Sequence, residues 1–158
     1  EPNAAKDEVT DWYKISFVYP DGAHDAEAIL VDERTKDIYI ITKRDAKSKV
    51  YKLTYPQSTT TINTASFVMD LPFTGVVSAA LSKSGTELIV KTYTTLFYWS
   101  RTTNETIENT LAKAATKLSY QLEPQGEAVC FKGDNTGFYT LSEKSFAPSV
   151  SLNFYKRL

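Results

Sequence analysis

Short apolar strands, separated by polar turns, recur along this chain at a spacing of about fifty residues. The first copy reads Glu27-Ala28-Ile29-Leu30-Val31-Asp32, then the turn Glu33 to Lys36, then Asp37-Ile38-Tyr39-Ile40-Ile41-Thr42-Lys43. The second reads Ser78-Ala79-Ala80-Leu81-Ser82, the turn Lys83-Ser84-Gly85-Thr86, then Glu87 to Tyr93. The third reads Glu127-Ala128-Val129-Cys130-Phe131-Lys132, the turn Gly133-Asp134-Asn135-Thr136, then Gly137 to Glu143. β-branched and aromatic residues fill the strands, and the turns carry the residue types that hairpins prefer. A third strand follows in each copy, at Lys49 to Thr54, Leu96 to Ser100 and Leu152 to Arg157, with Tyr51, Tyr98 and Tyr155 near the centres. A fourth is predicted at Ala65 to Leu71.

Four-stranded antiparallel units of roughly 40–50 residues are the mark of β-propeller blades. The pattern therefore predicts an all-β chain of about three such units: blade 1 over 25–71, blade 2 over 77–122 and blade 3 over 125–157. The alternating stretch 12–19, ending at Pro20-Asp21-Gly22, predicts the outer strand of a neighbouring or closing blade. Ile107, Leu111, Ala114 and Leu118 stand at helical spacing behind Thr103 or Asn104 as a cap, which predicts one short helix inserted in the second unit. Leu118 to Leu122 is then that unit's outer strand. Propellers need at least four blades. The expectation is half of a roughly six-bladed ring, or a subunit that closes the ring as a homodimer by lending its first strand.

Composition narrows the partners. A net charge of −1 over 158 residues gives no electrostatic footprint for nucleic acid. No apolar run reaches the roughly 20 residues that span a membrane. The single cysteine, Cys130, reads as a small buried residue. The opening, Glu1 to Lys6, reads as an exposed start.

Tyr19-Pro20-Asp21-Gly22 with Asp25-Ala26-Glu27-Ala28, the strand end Thr42-Lys43, and Gln125 to Ala128 with Tyr139 to Glu143 resemble the C-terminal half of a group of bacterial secreted propeller proteins of largely unknown function. The resemblance implies a secreted or periplasmic protein. More distantly, an acid opening an inner strand is similar to esterase-like phytase and gluconolactonase-type propellers, where such a Glu helps to hold a divalent metal. Two departures weaken that likeness: Ser78 stands where the second unit should carry an acid, and Ala28 and Ala128 stand where gluconolactonases have Pro.

The chemistry expected follows from placement. Inner-strand starts meet at one mouth of the channel, so Asp25, Glu27 and Glu127 form the candidate metal set, and calcium is the cation such oxygen ligands suit. The competing reading pairs these carboxylates with Lys43 or Arg44. His24, the only histidine, joins Lys43, Arg44, Tyr93 and Glu143 as candidate binding residues for a protein or carbohydrate ligand. No catalytic residue is assigned, because no nucleophile elbow, Cys/His metal spacing or phosphate loop is present. The leading expectation is a noncatalytic interaction or scaffold module. The alternative is a divalent-metal-dependent hydrolase of phosphoesters or lactones.

Overall fold

The structure, a computed structural model, describes residues 10, 12–144 and 148–157; Glu1 to Lys6 lies outside them. Its architecture is all-β. The first sheet holds β2 (Ala26–Val31), β3 (Ile38–Thr42), β4 (Lys49–Leu53) and β6 (Ser66–Asp70), in that order. The second holds β7 (Val76–Leu81), β8 (Glu87–Thr92), β9 (Leu96–Ser100) and β10 (Thr116–Leu118). The third holds β11 (Gly126–Phe131), β12 (Gly137–Ser142) and β13 (Asn153–Lys156). All three are antiparallel meanders. A two-stranded parallel pair of β1 (Phe17–Val18) and β5 (Asn63–Thr64) stands beside the first sheet.

The repeat is stricter than the sequence pattern indicated. Ala26 faces Thr42, Val76 faces Thr92 and Gly126 faces Ser142, each pair fifty residues from the next. A one-residue bulge follows every one of these positions, at Glu27, Val77 and Glu127. The second unit's counterpart of the two glutamates is therefore Val77, not Ser78. The turns repeat too: Asp32, Ser82 and Lys132 each donate a backbone N–H to the carbonyl five residues on. Gly85 and Asn135 take the left-handed conformation at matching turn positions, whereas the first turn places it one residue later, at Lys36.

Side-chain alternation explains how the sheets stack. The row of β2 containing Ala28 and Leu30 meets the row of β7 containing Ala79 and Leu81, and Tyr39, Ile41, Leu88, Val90, Phe97 and Trp99 complete that core. The other row of β7, with Ala80, meets Val129 and Phe131 of β11 through Ile89 and Leu96. Each sheet thus offers one face to the sheet before and the opposite face to the sheet after. The first strands β2, β7 and β11 lie side by side, with β7 in the middle. The second sheet is buried on both faces, as the all-buried β8 records.

The inserted helix is shorter than the spacing predicted. α1 spans Ile107–Leu111, and its N-cap is Thr106, whose hydroxyl accepts from the Asn109 N–H. Ala114 and Leu118 fall outside it, because the chain turns into β10 at Thr116, ahead of the expected outer strand. Cys130 is exposed, not buried, since it lies on the face of β11 that no sheet covers among the described residues. No helix of the described residues is long and apolar enough to cross a membrane.

Candidate functional site

The ends of the first strands gather five of the expected residues. Lys43 follows β3, and the equivalent positions in the other sheets are Tyr93 and Glu143. The Lys43 ammonium donates to both oxygens of Glu27 at 2.8 Å and to the Tyr93 hydroxyl at 2.9 Å. Tyr93 passes the chain on, donating its own O–H to Glu127 Oε1. Lys43 also lies 3.6 Å from Glu127. One hydrogen-bonded line therefore runs Glu27–Lys43–Tyr93–Glu127 across all three sheets.

The charges respond to this placement. Burial works to lower the Lys43 pKa, but its hydrogen bonds to Glu27 and Tyr93 outweigh it and leave the ammonium held well above its ordinary range. The Tyr93 hydrogen bond holds Glu127 below the usual carboxylate range. Glu143 moves the other way, pushed up first by the charge of Glu127.

The candidate metal ligands are engaged by cations of the chain itself. Lys43 stands between Glu27 and Glu127 where a cation would have to sit. Asp25 turns away and pairs with Arg44 at the surface, 2.7 Å from its Nε. Among the described residues no group of three His, Cys, Asp or Glu could hold a metal ion. The pairing with Lys43 and Arg44 is the arrangement present, and Asp25 does not join Glu27 and Glu127 in it.

His24 is placed apart from the line and is not a solvated turn residue. Its Nδ1 contacts the Asp45 carboxylate at 3.1 Å, and its Nε2 lies 3.1 Å from Asp21 Oδ1 and 2.9 Å from the Tyr51 hydroxyl. Tyr51 is wholly buried and donates to Asp21 at 2.8 Å. Tyr19 packs edge-on against both rings. With both nitrogens engaged, this imidazole fastens the Pro20–Gly22 turn to β4.

Sequence reasoning missed a second buried polar pair. Lys91 of β8 is fully buried, with its ammonium 3.5 Å from Glu123 and 4.3 Å from the Tyr120 ring centre. Burial pulls its pKa down. Glu123 Oε1 accepts from Thr140 at 2.6 Å and from Asn153 at 2.9 Å. The one available signal was Gly126: a Cβ there would stand 2.3 Å from Glu123 Oε2 and 2.8 Å from Lys91 Nζ. Trp99 and Tyr98 are packing residues, their polar atoms bound to the Lys113 carbonyl and to Glu87. Comparison with known proteins adds no relative: no protein-family model and no curated protein matches the chain.

Proposed function

We propose that the three sheets are blades of a β-propeller and that the chain is a noncatalytic interaction module working outside the cytoplasm. The reading is supported by the fifty-residue register, which sets the first strands side by side as propeller inner strands are set. The observation that carries the noncatalytic part is the line at the mouth. Lys43 is held by Glu27 and Tyr93, and Tyr93 by Glu127, so the strongest ionisable groups there already serve one another and join the sheets. Glu143 and the guanidinium of Arg44 remain on the rim as charged contacts for a protein or carbohydrate ligand. A metal-dependent hydrolase would require the Lys43 ammonium to leave its place between Glu27 and Glu127.

The test is hydrolysis of p-nitrophenyl phosphate and of a simple aliphatic lactone, with and without calcium at roughly millimolar concentration. The expected rate equals the buffer blank for the chain and for Glu127→Gln alike. Turnover by the chain that disappears in Glu127→Gln would overturn the reading.

A further inference from the structure

With a single cysteine, the chain has no internal disulfide to tie its sheets together. Another pair of side chains stands where a covalent link would join two of them. Lys91 of β8 lies at the junction of the second and third sheets, and Glu123, in the connection from β10 to β11, meets it there. Glu123 is already tied to the third sheet, since its Oε1 accepts from Thr140 of β12 and Asn153 of β13.

The geometry around the pair is that of two groups set to react. The Lys91 side chain is 0% exposed and that of Glu123 5%, and 3.5 Å separates Nζ from Oε2. Both charges are out of water, at a cost that a contact of this length offsets only in part. Burial pulls the Lys91 pKa down, against the attraction of Glu123. The two carboxylate oxygens are not equivalent. Oε1 is held by two donors, whereas Oε2 is buried and accepts no hydrogen bond among the described residues. The oxygen that faces the amine is therefore the one free to depart. Tyr120 fixes the nitrogen: its hydroxyl donates to the Tyr93 carbonyl at 3.0 Å and so accepts from Nζ at 3.2 Å. Gly126 permits the approach, because a Cβ there would stand 2.8 Å from Nζ and 2.3 Å from Oε2.

We infer that Lys91 and Glu123 condense in the folded chain to an isopeptide bond between Nζ and Cδ, joining the second sheet covalently to the third. The step balances within the pair. One ammonium proton passes to Oε2, leaving a neutral amine and a neutral acid. The nitrogen lone pair attacks Cδ, and the negative charge that gathers on Oε1 is met by the donors of Thr140 and Asn153. A second nitrogen proton passes to Oε2, the Cδ–Oε2 bond breaks, and Oε2 leaves as water. No oxidant or further reactant enters. In water the two groups stay ionised and do not condense. Here burial disfavours both ions, and fixed placement supplies an effective concentration of roughly 10⁵–10⁸ M. The product loses two buried charges and keeps its partners: Oε1, now an amide oxygen, still accepts from Thr140 and Asn153, and the remaining N–H still faces Tyr120.

Intact-mass spectrometry of the purified, folded 158-residue chain tests the inference. The expected mass is the 17.7 kDa of the sequence less one water, and a digest should yield one branched peptide that joins Lys91 to Glu123. The full sequence mass overturns the proposal. A water loss that maps to another residue, such as the imide-forming Asp21-Gly22, or that persists in Lys91→Arg, overturns it as well. Because Lys91→Arg could fail to fold, Glu123→Gln gives an independent readout. The same attack on a side-chain amide expels ammonia, so this variant should be lighter than its own sequence by one ammonia. A Glu123→Gln chain that still loses water contradicts the proposal, since the departing oxygen is then not Oε2.

Discussion

The ammonium of Lys43, just past the end of β3, lies 3.6 Å from the carboxylate of Glu127 at the start of β11, two sheets away in the chain. Tyr93 of the middle sheet fills the angle between them, accepting from one and donating to the other. Strand ends of all three sheets thus become one electrostatic unit, although Glu127 is the repeat counterpart of Glu27 and not of Lys43 and Tyr93.

Lys43→Met should keep the aliphatic stem and remove the charge. Glu27 and Glu127 would then face each other unneutralised in a half-buried setting. The expected loss is about 2–3 kcal/mol, below the value for a fully buried pair because both glutamates keep some solvent. Urea unfolding followed by circular dichroism measures it, and Arg44→Met serves as the surface control, with a change within about 0.5 kcal/mol.

The pH dependence divides between two neighbours. Glu143, raised, favours the folded state most when pH is below the ordinary glutamate value of about 4.3. That contribution is lost as pH rises through its higher folded value. Glu127, lowered, contributes stability above the ordinary value and loses it as pH falls through its lower folded value. Glu143→Gln should therefore stabilise the protein at pH 7, where repulsion from Glu127 is relieved, and make little difference at pH 4. Denaturation midpoints at the two pH values check the sign.

Gly126 is held small by the ion pair beside it. Gly126→Ala would drive a methyl into Glu123 and Lys91, both buried at the junction of the second and third sheets. A cost of about 2–3 kcal/mol is expected. Gly133→Ala, where a Cβ meets nothing within 4 Å, should change stability by less than about 0.5 kcal/mol. Thermal melting of the two variants side by side makes the comparison.

The first and second sheets share another buried pair. Arg101, after β9, bonds Asp32 of the first turn, and both side chains are 2% exposed. Asp32→Ala leaves the guanidinium buried without its partner and should cost about 3–5 kcal/mol. The matching position in the third unit is Lys132, which bonds Asp134 at the surface. Lys132→Ala should fall within about 0.5 kcal/mol, as measured by the same urea titration.

The repeat was legible because strand alternation and turn chemistry are local. Its register in the middle unit was not: the bulge at Val77 inserts a residue that leaves no mark on apolar alternation, so Ser78 stood in its place. Of the site, Glu27, Lys43, Tyr93, Glu127 and Glu143 were legible as ends of repeating strands, and the fold does gather them. Their use was not, since whether Glu27 meets a metal or Lys43 depends on how close neighbouring sheets approach. The surroundings of His24 and of Cys130 were not legible for the same reason. Asp45 and Tyr51 reach His24 only through the fold, and Cys130 is exposed because its row of β11 faces outward from the last sheet. α1 ends early because Thr116–Leu118 is drawn into pairing with β9, a tertiary demand that helical spacing cannot register.

The central claim is that three repeats form one body joined along their first strands. Native-state hydrogen exchange tests it most directly through the amides of Leu30 in β2, Ala80 in β7 and Val129 in β11, the last of which bonds Ser78 Oγ across the sheets. If the account is right, the three amides exchange through one common opening with the same free energy, equal to that of global unfolding. If Val129 instead opens independently and far more easily than Leu30 and Ala80, the third sheet is a separate unit and the claim is contradicted.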